Sequence, residues 1–150
     1  MSDAAKDAQL NYDLEQQIGY LLRRAYQRHT SIFQKEISDE HLTSVQFAVM
    51  VTVQKLGSAP LVQISHETAI DHATLRDIVS RLKKRDLIKV IQDSADRRQK
   101  LVSITSAGKT LLEVAIPAAR DITEETLSPL TPCERLAALE VLKKLAVSSD

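Results

Sequence analysis

Nine side chains between positions 73 and 98 have the types and spacing to read a nucleic-acid duplex. Seven lie in the run DHATLRDIVSRLKKR, residues 71–85. Leu75, Ile78, Val79 and Leu82 recur there at i, i+3, i+4 and i+7, so they form one apolar stripe of a helix. At about 100° per residue, Ala73, Asp77, Ser80 and Lys84 fall on the opposite face, flanked by Thr74, Arg76 and Arg81. A face of small, hydroxyl and cationic side chains fits a major groove, where it reaches base edges and phosphates. The other two, Arg97 and Arg98, are adjacent in a polar turn, residues 92–99, between branched runs at 87–91 and 100–104. Two such runs read as strands, and guanidinium groups at a hairpin tip can enter a narrow minor groove. Asp96 beside them is expected to orient Arg97 or Arg98 within the molecule, since a carboxylate facing phosphates would repel them. Asp77 has open readings: it accepts from a cytosine N4, or it pairs with Arg81 or Arg76. The bland alternative is a solvated basic face, and a second is a winged-helix module whose basic face meets an acidic protein. The arginine pair on the hairpin favours nucleic acid.

Other reactive side chains form no catalytic set. His29, His41, His66 and His72 show no metal-binding spacing, and three glycines cannot build a phosphate-cradling loop. No enzyme activity, metal or cofactor is therefore expected. Cys133 has no second cysteine to pair with, which suits a reducing compartment, and it reads as an inert residue at an interface. His29 is different. It interrupts an apolar stripe, so it faces either a partner group or a cavity.

The elements that must position these residues follow from caps and periodicity. After a loose tail to about residue 8, a first helix is expected over 10–36, with Leu14, Ile18, Leu21, Leu22, Ala25, His29, Ile32 and Phe33 as its stripe. Such a helix spans about 40 Å, more than one small domain needs for its own core, so part of the stripe should pack on a second subunit. Thr43 and Gln46 have capping-box spacing ahead of an apolar second helix that ends at Gly57, with Ser58, Ala59 and Pro60 as a linker. A short helix over 61–68 precedes the run described above, with Asp71 as its N-cap. Beyond the hairpin, Ser106 is expected to cap a fifth helix that Pro117 interrupts. Thr131, Pro132 and Glu134 start a sixth, whose stripe is Leu136, Leu139, Leu142 and Ala146. The fold class is thus mainly α: about six helices plus a two-stranded wing.

Charge distribution supports the same face. The chain has 150 residues, enough for one domain with a core, and its formal charge is zero from 20 basic and 20 acidic residues. Between His72 and Lys100 there are nine basic and four acidic residues, a net of +5 against −5 elsewhere. A basic segment in an acidic chain focuses attraction for DNA on one surface. No run approaches the ~18 apolar residues of a membrane span, so a cytoplasmic protein without membrane contact is expected.

These residues carry a family resemblance. Asp96-Arg97-Arg98, followed by Ser103-Ile104-Thr105 and Gly108, resembles the D-x-R … L-T-x-x-G signature of the MarR family. Residues 78–88 resemble that family's end of recognition helix and entry to the wing. There are two departures: Asp86 stands where the family usually has glycine, and Asp77 where a neutral or basic residue is commoner. The resemblance implies an intertwined homodimer, with 10–36 and 106–147 as dimerisation helices and 43–104 as a winged helix-turn-helix lobe. It implies a ligand-responsive regulator, a repressor, that binds a pseudo-palindromic operator. It also implies an effector pocket for an aromatic or heteroaromatic carboxylate between the dimer helices and the DNA lobe. Phe47 and Met50 would supply its walls, His29, Arg24 or Tyr20 would meet the carboxylate, and His66 would close it from the DNA lobe.

Overall fold

Capping chemistry sets the helix boundaries, at most of the residues named above. The computed structural model describes residues 10–147, so the expected tail lies outside the described residues. In chain order the elements are α1 (Ile18–Glu36), α2 (Ser44–Leu56), β1 (Ser58–Pro60), α3 (Leu61–Thr68), α4 (His72–Lys84), β2 (Ile88–Gln92), β3 (Lys100–Ile104), α5 (Ser106–Leu127) and α6 (Pro132–Leu145). Thr43 and Gln46 form a reciprocal capping box at α2, as Thr131 and Glu134 do at α6. The Asp71 carboxylate accepts the Thr74 amide at 2.9 Å and the Thr74 hydroxyl at 2.8 Å, which fixes the start of α4. Gly57 ends α2 with φ 83°, a left-handed value that costs glycine nothing.

Four expectations need correction. The first helix does not run from residue 10. Asp13 caps a separate 3-10 turn, Leu14–Gln16, and Gln17 then takes extended angles (φ −88°, ψ 139°), so α1 has 19 residues rather than 27. The cap of α5 is Thr105, one residue before Ser106; its hydroxyl accepts the Gly108 amide at 3.0 Å and donates to the Asp86 carbonyl at 2.6 Å. α5 runs on through Pro117, which is exposed. The sheet has three strands rather than two, because Ser58, Ala59 and Pro60, read as a linker, form the edge strand β1.

That sheet is antiparallel, in the order β1-β3-β2, with Ala59 opposite Val102 and Val90 opposite Val102 on the other side. Pro60 is tolerated because it closes an edge strand. α2 lies at the centre: Val49, Met50 and Val53 are fully buried among Ile64, Leu75, Leu82, Val102 and Leu112. Each such side chain contributes roughly 1.5–3 kcal/mol by leaving water, so α2 fixes α3, α4 and the sheet as one body. The turn between α3 and α4 is closed by Ala69 in a left-handed conformation (φ 55°) and by the Ser65 hydroxyl donating to Ile70 O at 2.6 Å. Asp86 adopts φ 59° at the entry to β2, the conformation for which glycine would be the easier residue.

Candidate nucleic-acid interface and adjoining cavity

α4 buries the stripe that its period requires. Leu75, Ile78, Val79 and Leu82 are all inside, while Ala73, Thr74, Arg76, Asp77, Ser80, Arg81 and Lys84 are all exposed. Asp77 pairs with Arg81: the guanidinium Nε donates to Oδ2 at 2.9 Å. Of the open readings, the structure adopts the Arg81 pair. The Thr74 hydroxyl is occupied by the Asp71 cap, which leaves its methyl for contact.

The wing tip is held by bonds to its own backbone carbonyls. Asp93 N donates to Gln99 O at 2.9 Å, Gln99 N to Asp96 O at 3.0 Å, and Gln92 Nε2 to Arg97 O at 2.6 Å. The Asp96 carboxylate accepts the Arg98 amide at 3.0 Å and, among the described residues, pairs with neither guanidinium, so it holds Arg98 through the backbone rather than through the side chain. A short Asp side chain reaches an amide two residues on more easily than the far end of a neighbouring arginine. Arg97 and Arg98 both stay exposed.

A cleft of about 450 Å³ lies between α4 and the wing, and it brings Arg76 together with Arg98, Lys100, His72 and Val62. Sequence reasoning missed Val62, His72 and Lys100 as members of this surface. A positive charge directly after the wing turn was the available signal for Lys100. Ser80, Arg81 and Lys84 line a second cleft, of about 630 Å³, with His41 and Arg85. Arg85 was missed altogether. Its Nη2 donates to Asp39 Oδ2 at 2.5 Å, tying the end of α4 to the loop between α1 and α2. Burial alone would raise the Asp39 pKa, but the Arg85 hydrogen bond, the His41 amide and the charge of Arg85 outweigh it and hold the carboxyl below its ordinary value. No short-range pattern could have found a pair 46 residues apart.

A second cavity, of about 360 Å³, opens between α1, α2 and α5. His29, Phe33, Phe47, Ser44, Val51 and Thr123 are among its walls. Phe33 and Phe47 stack at a tilt, with ring centroids 5.7 Å apart. The structure thus brings together two of the six residues named for an effector, His29 and Phe47. Met50 faces the core and is fully buried, and Tyr20, Arg24 and His66 do not line the cavity. Phe33 was missed as a wall, although it stands one helical turn beyond His29. His29 Nδ1 lies 2.9 Å from Thr126 Oγ1, and burial lowers its imidazole pKa below the ordinary value.

Among the described residues no three His, Cys, Asp or Glu side chains are grouped to hold a metal ion. Cys133 is exposed in the first turn of α6. No helix is long and apolar enough to cross a membrane.

Known proteins share this arrangement. The MarR family's sequence model matches residues 42–100. The HTH-type transcriptional repressor NicR of Pseudomonas putida is 42% identical over 139 residues, covering 93% of this chain and 88% of NicR. The solved structure of Bordetella bronchiseptica BpsR, whose DNA binding is regulated by 6-hydroxynicotinic acid, superposes with a TM-score of 0.87 at 44% identity, over 93% of this chain and 99% of that one. The Streptomyces coelicolor regulator PcaV, solved with its natural ligand, gives a TM-score of 0.84 at 25% identity, over 91% and 96%.

Proposed function

Because the chain belongs to the MarR family of transcriptional regulators, we propose that it is a repressor that grips a pseudo-palindromic operator as a homodimer and releases it when a small aromatic acid binds. The observation that carries this reading is the common exposure of the α4 face and the wing arginines, with Arg76 and Arg98 lining one cleft. Arg76, Asp77, Ser80 and Arg81 would meet base edges, with Ala73 and the Thr74 methyl against thymine methyls. Lys84, Arg97 and Arg98 would meet phosphates or the minor groove. The lobe from 43 to 104 would read DNA, and α1, α5 and α6 would hold two copies so that their α4 helices enter grooves about 34 Å apart. Such a protein works in the cytoplasm, where the chromosome lies.

The cavity gives the reading its ligand. It adjoins α2, which carries the DNA lobe, and it is walled by α1 and α5, which would carry the dimer. An occupant there can alter the angle between the two. To lower operator occupancy about 100-fold it must favour the non-binding arrangement by about 2.7 kcal/mol. NicR is named a repressor, and BpsR is regulated by 6-hydroxynicotinic acid. These facts support a heteroaromatic acid as the first effector to try.

The test is selection from random duplexes at two salt concentrations, followed by titration of the selected site with 6-hydroxynicotinic acid. An enriched inverted repeat with half-sites one helical turn apart, released by the acid, is the expected result. Salt-sensitive binding without any sequence enrichment would contradict an operator and leave an architectural module that holds DNA without operator specificity.

A further inference from the structure

The His29 ring makes one hydrogen bond among the described residues, and that bond decides which ring nitrogen carries the proton. Thr126 Oγ1, the partner of Nδ1, also lies 2.8 Å from the carbonyl of Ile122, one turn back in α5, and donates to it. A hydroxyl has a single proton. With that proton committed to Ile122, Thr126 can only accept from His29, so Nδ1 carries the ring hydrogen. The tautomer of an imidazole is set by the bond its other nitrogen makes. Nε2 is then a bare acceptor. Its ring stands on the wall of the α1–α2–α5 cavity and also lines a smaller cleft with Tyr26, Ser44, Ala48 and Ile70.

We infer that Thr126 is a positioning residue that locks His29 as a hydrogen-bond acceptor, so that the cavity selects aromatic acids bearing a ring hydroxyl or ring N–H donor. The inference rests on the effector reading above and sharpens it. His29 was expected to meet the ligand's carboxylate; a neutral ring presenting a lone pair would repel a carboxylate and accept from a donor instead. Its half-buried position and the burial-lowered pKa agree with a neutral ring. Among the described residues no Lys or Arg lines the cavity, so the polar groups there for an anionic end are the hydroxyls of Ser44, Thr52 and Thr123. Removing the donor from the ligand would leave Nε2 facing the ligand ring unpaired, and an unmet buried acceptor is where discrimination arises.

Two measurements on the full-length protein test this. Nitrogen-15 spectra of the histidine rings report directly which nitrogen is protonated; the neutral Nδ1–H form is expected for His29, and the Nε2–H form or a doubly protonated ring at neutral pH would overturn the proposal. Calorimetric titration would compare 6-hydroxynicotinic acid with nicotinic acid, which lacks the donor, and 6-methoxynicotinic acid, which replaces it by an acceptor. The hydroxy acid should bind about tenfold more tightly than either, as one hydrogen bond allows. Thr126→Val should abolish that preference and the tautomer bias, and Thr126→Ser should restore both. Equal binding of all three acids to the wild type would refute donor selection while leaving the effector reading intact. If none of the three binds, both fall together.

Discussion

On the proposed reading, the two arginines of the wing tip and the acid of α4 make separable contributions. Arg97 and Arg98 are exposed on a turn held by its own backbone bonds, so replacing either leaves the hairpin standing. Arg97→Ala and Arg98→Ala should each weaken binding to specific and random duplexes alike, and each should reduce the slope of log affinity against log salt by about 1. Titrations at four or five salt concentrations would read the slope, and an unchanged slope in both variants would remove the wing from the interface. Asp77 acts differently. Its bond to Arg81 is an exposed pair one turn apart, worth about 0.3–0.5 kcal/mol to the helix, so stability is not its main contribution. It restrains the direction of Arg81 on the exposed face of α4. Asp77→Ala should therefore leave the melting temperature within about a degree, yet relax base preference at one position of each half-site. Selection from random duplexes with the variant would show this; an unaltered sequence logo would deny Asp77 any part in reading bases.

The joints between elements were less legible in the sequence than the elements themselves. Periodicity placed the buried stripe of α4 without error, and capping boxes placed the starts of α2 and α6, because both signals are local and depend on three or four residues. The break at Gln17 is local, built on the Asp13 cap and the bond from Gln17 Nε2 to Asp13 O, and the apolar stripe that runs across it concealed it. The edge strand β1 and the Asp39–Arg85 bond depend on partners distant along the chain, which no window contains. Gly108 shows the same limit. The family-like spacing marked it, but its reason is spatial: a Cβ there would lie 2.2 Å from the Leu87 carbonyl, where the N-terminus of α5 presses on the exit from α4. Gly108→Ala should cost on the order of 3 kcal/mol, seen as a lower denaturant midpoint at unchanged slope. The Asp39–Arg85 bond also ties down the exit from α4, and it should depend on pH. The Asp39 carboxyl titrates below its ordinary value of 3.8 in the folded chain. Its contribution is therefore fully present above that value and is lost as pH falls through the lower, folded one. Asp39→Asn should destabilise by about 1 kcal/mol at neutral pH. The difference from wild type should shrink below about pH 4. A difference that stays constant down to pH 2 would show that the carboxylate is not what holds the clamp.

At the scale of the whole molecule, the protomer leaves its largest apolar faces uncovered. Ile18, Leu21, Leu22 and Tyr26 on α1 are all exposed, and so are Leu136, Leu139, Leu142 and Leu145 on α6, a helix with no buried residue of its own. The C-terminal part of α1 does pack within the protomer, through Phe33 and the His29–Thr126 bond to α5. One helix thus serves two covers, its own α5 at one end and, on the proposed reading, a second copy at the other. Exposed leucines at this density are stable in water only if something hides them. Leu139→Glu combined with Leu142→Glu should separate the copies without unfolding the protomer, since neither side chain is buried within it. Sedimentation should show a change from dimer to monomer, while circular dichroism retains the helical signal and the melting temperature loses its dependence on protein concentration. Operator affinity should fall much further than either subunit's own contacts explain. In a dimer the second lobe binds at the millimolar effective concentration set by the first, and a monomer forfeits that gain, typically 10²–10⁴-fold. The same variant should still bind an isolated half-site as weakly as the wild type does. If it instead keeps full affinity for the inverted repeat, α6 is not the element that joins the two lobes, and the apolar face of α1 must do so alone.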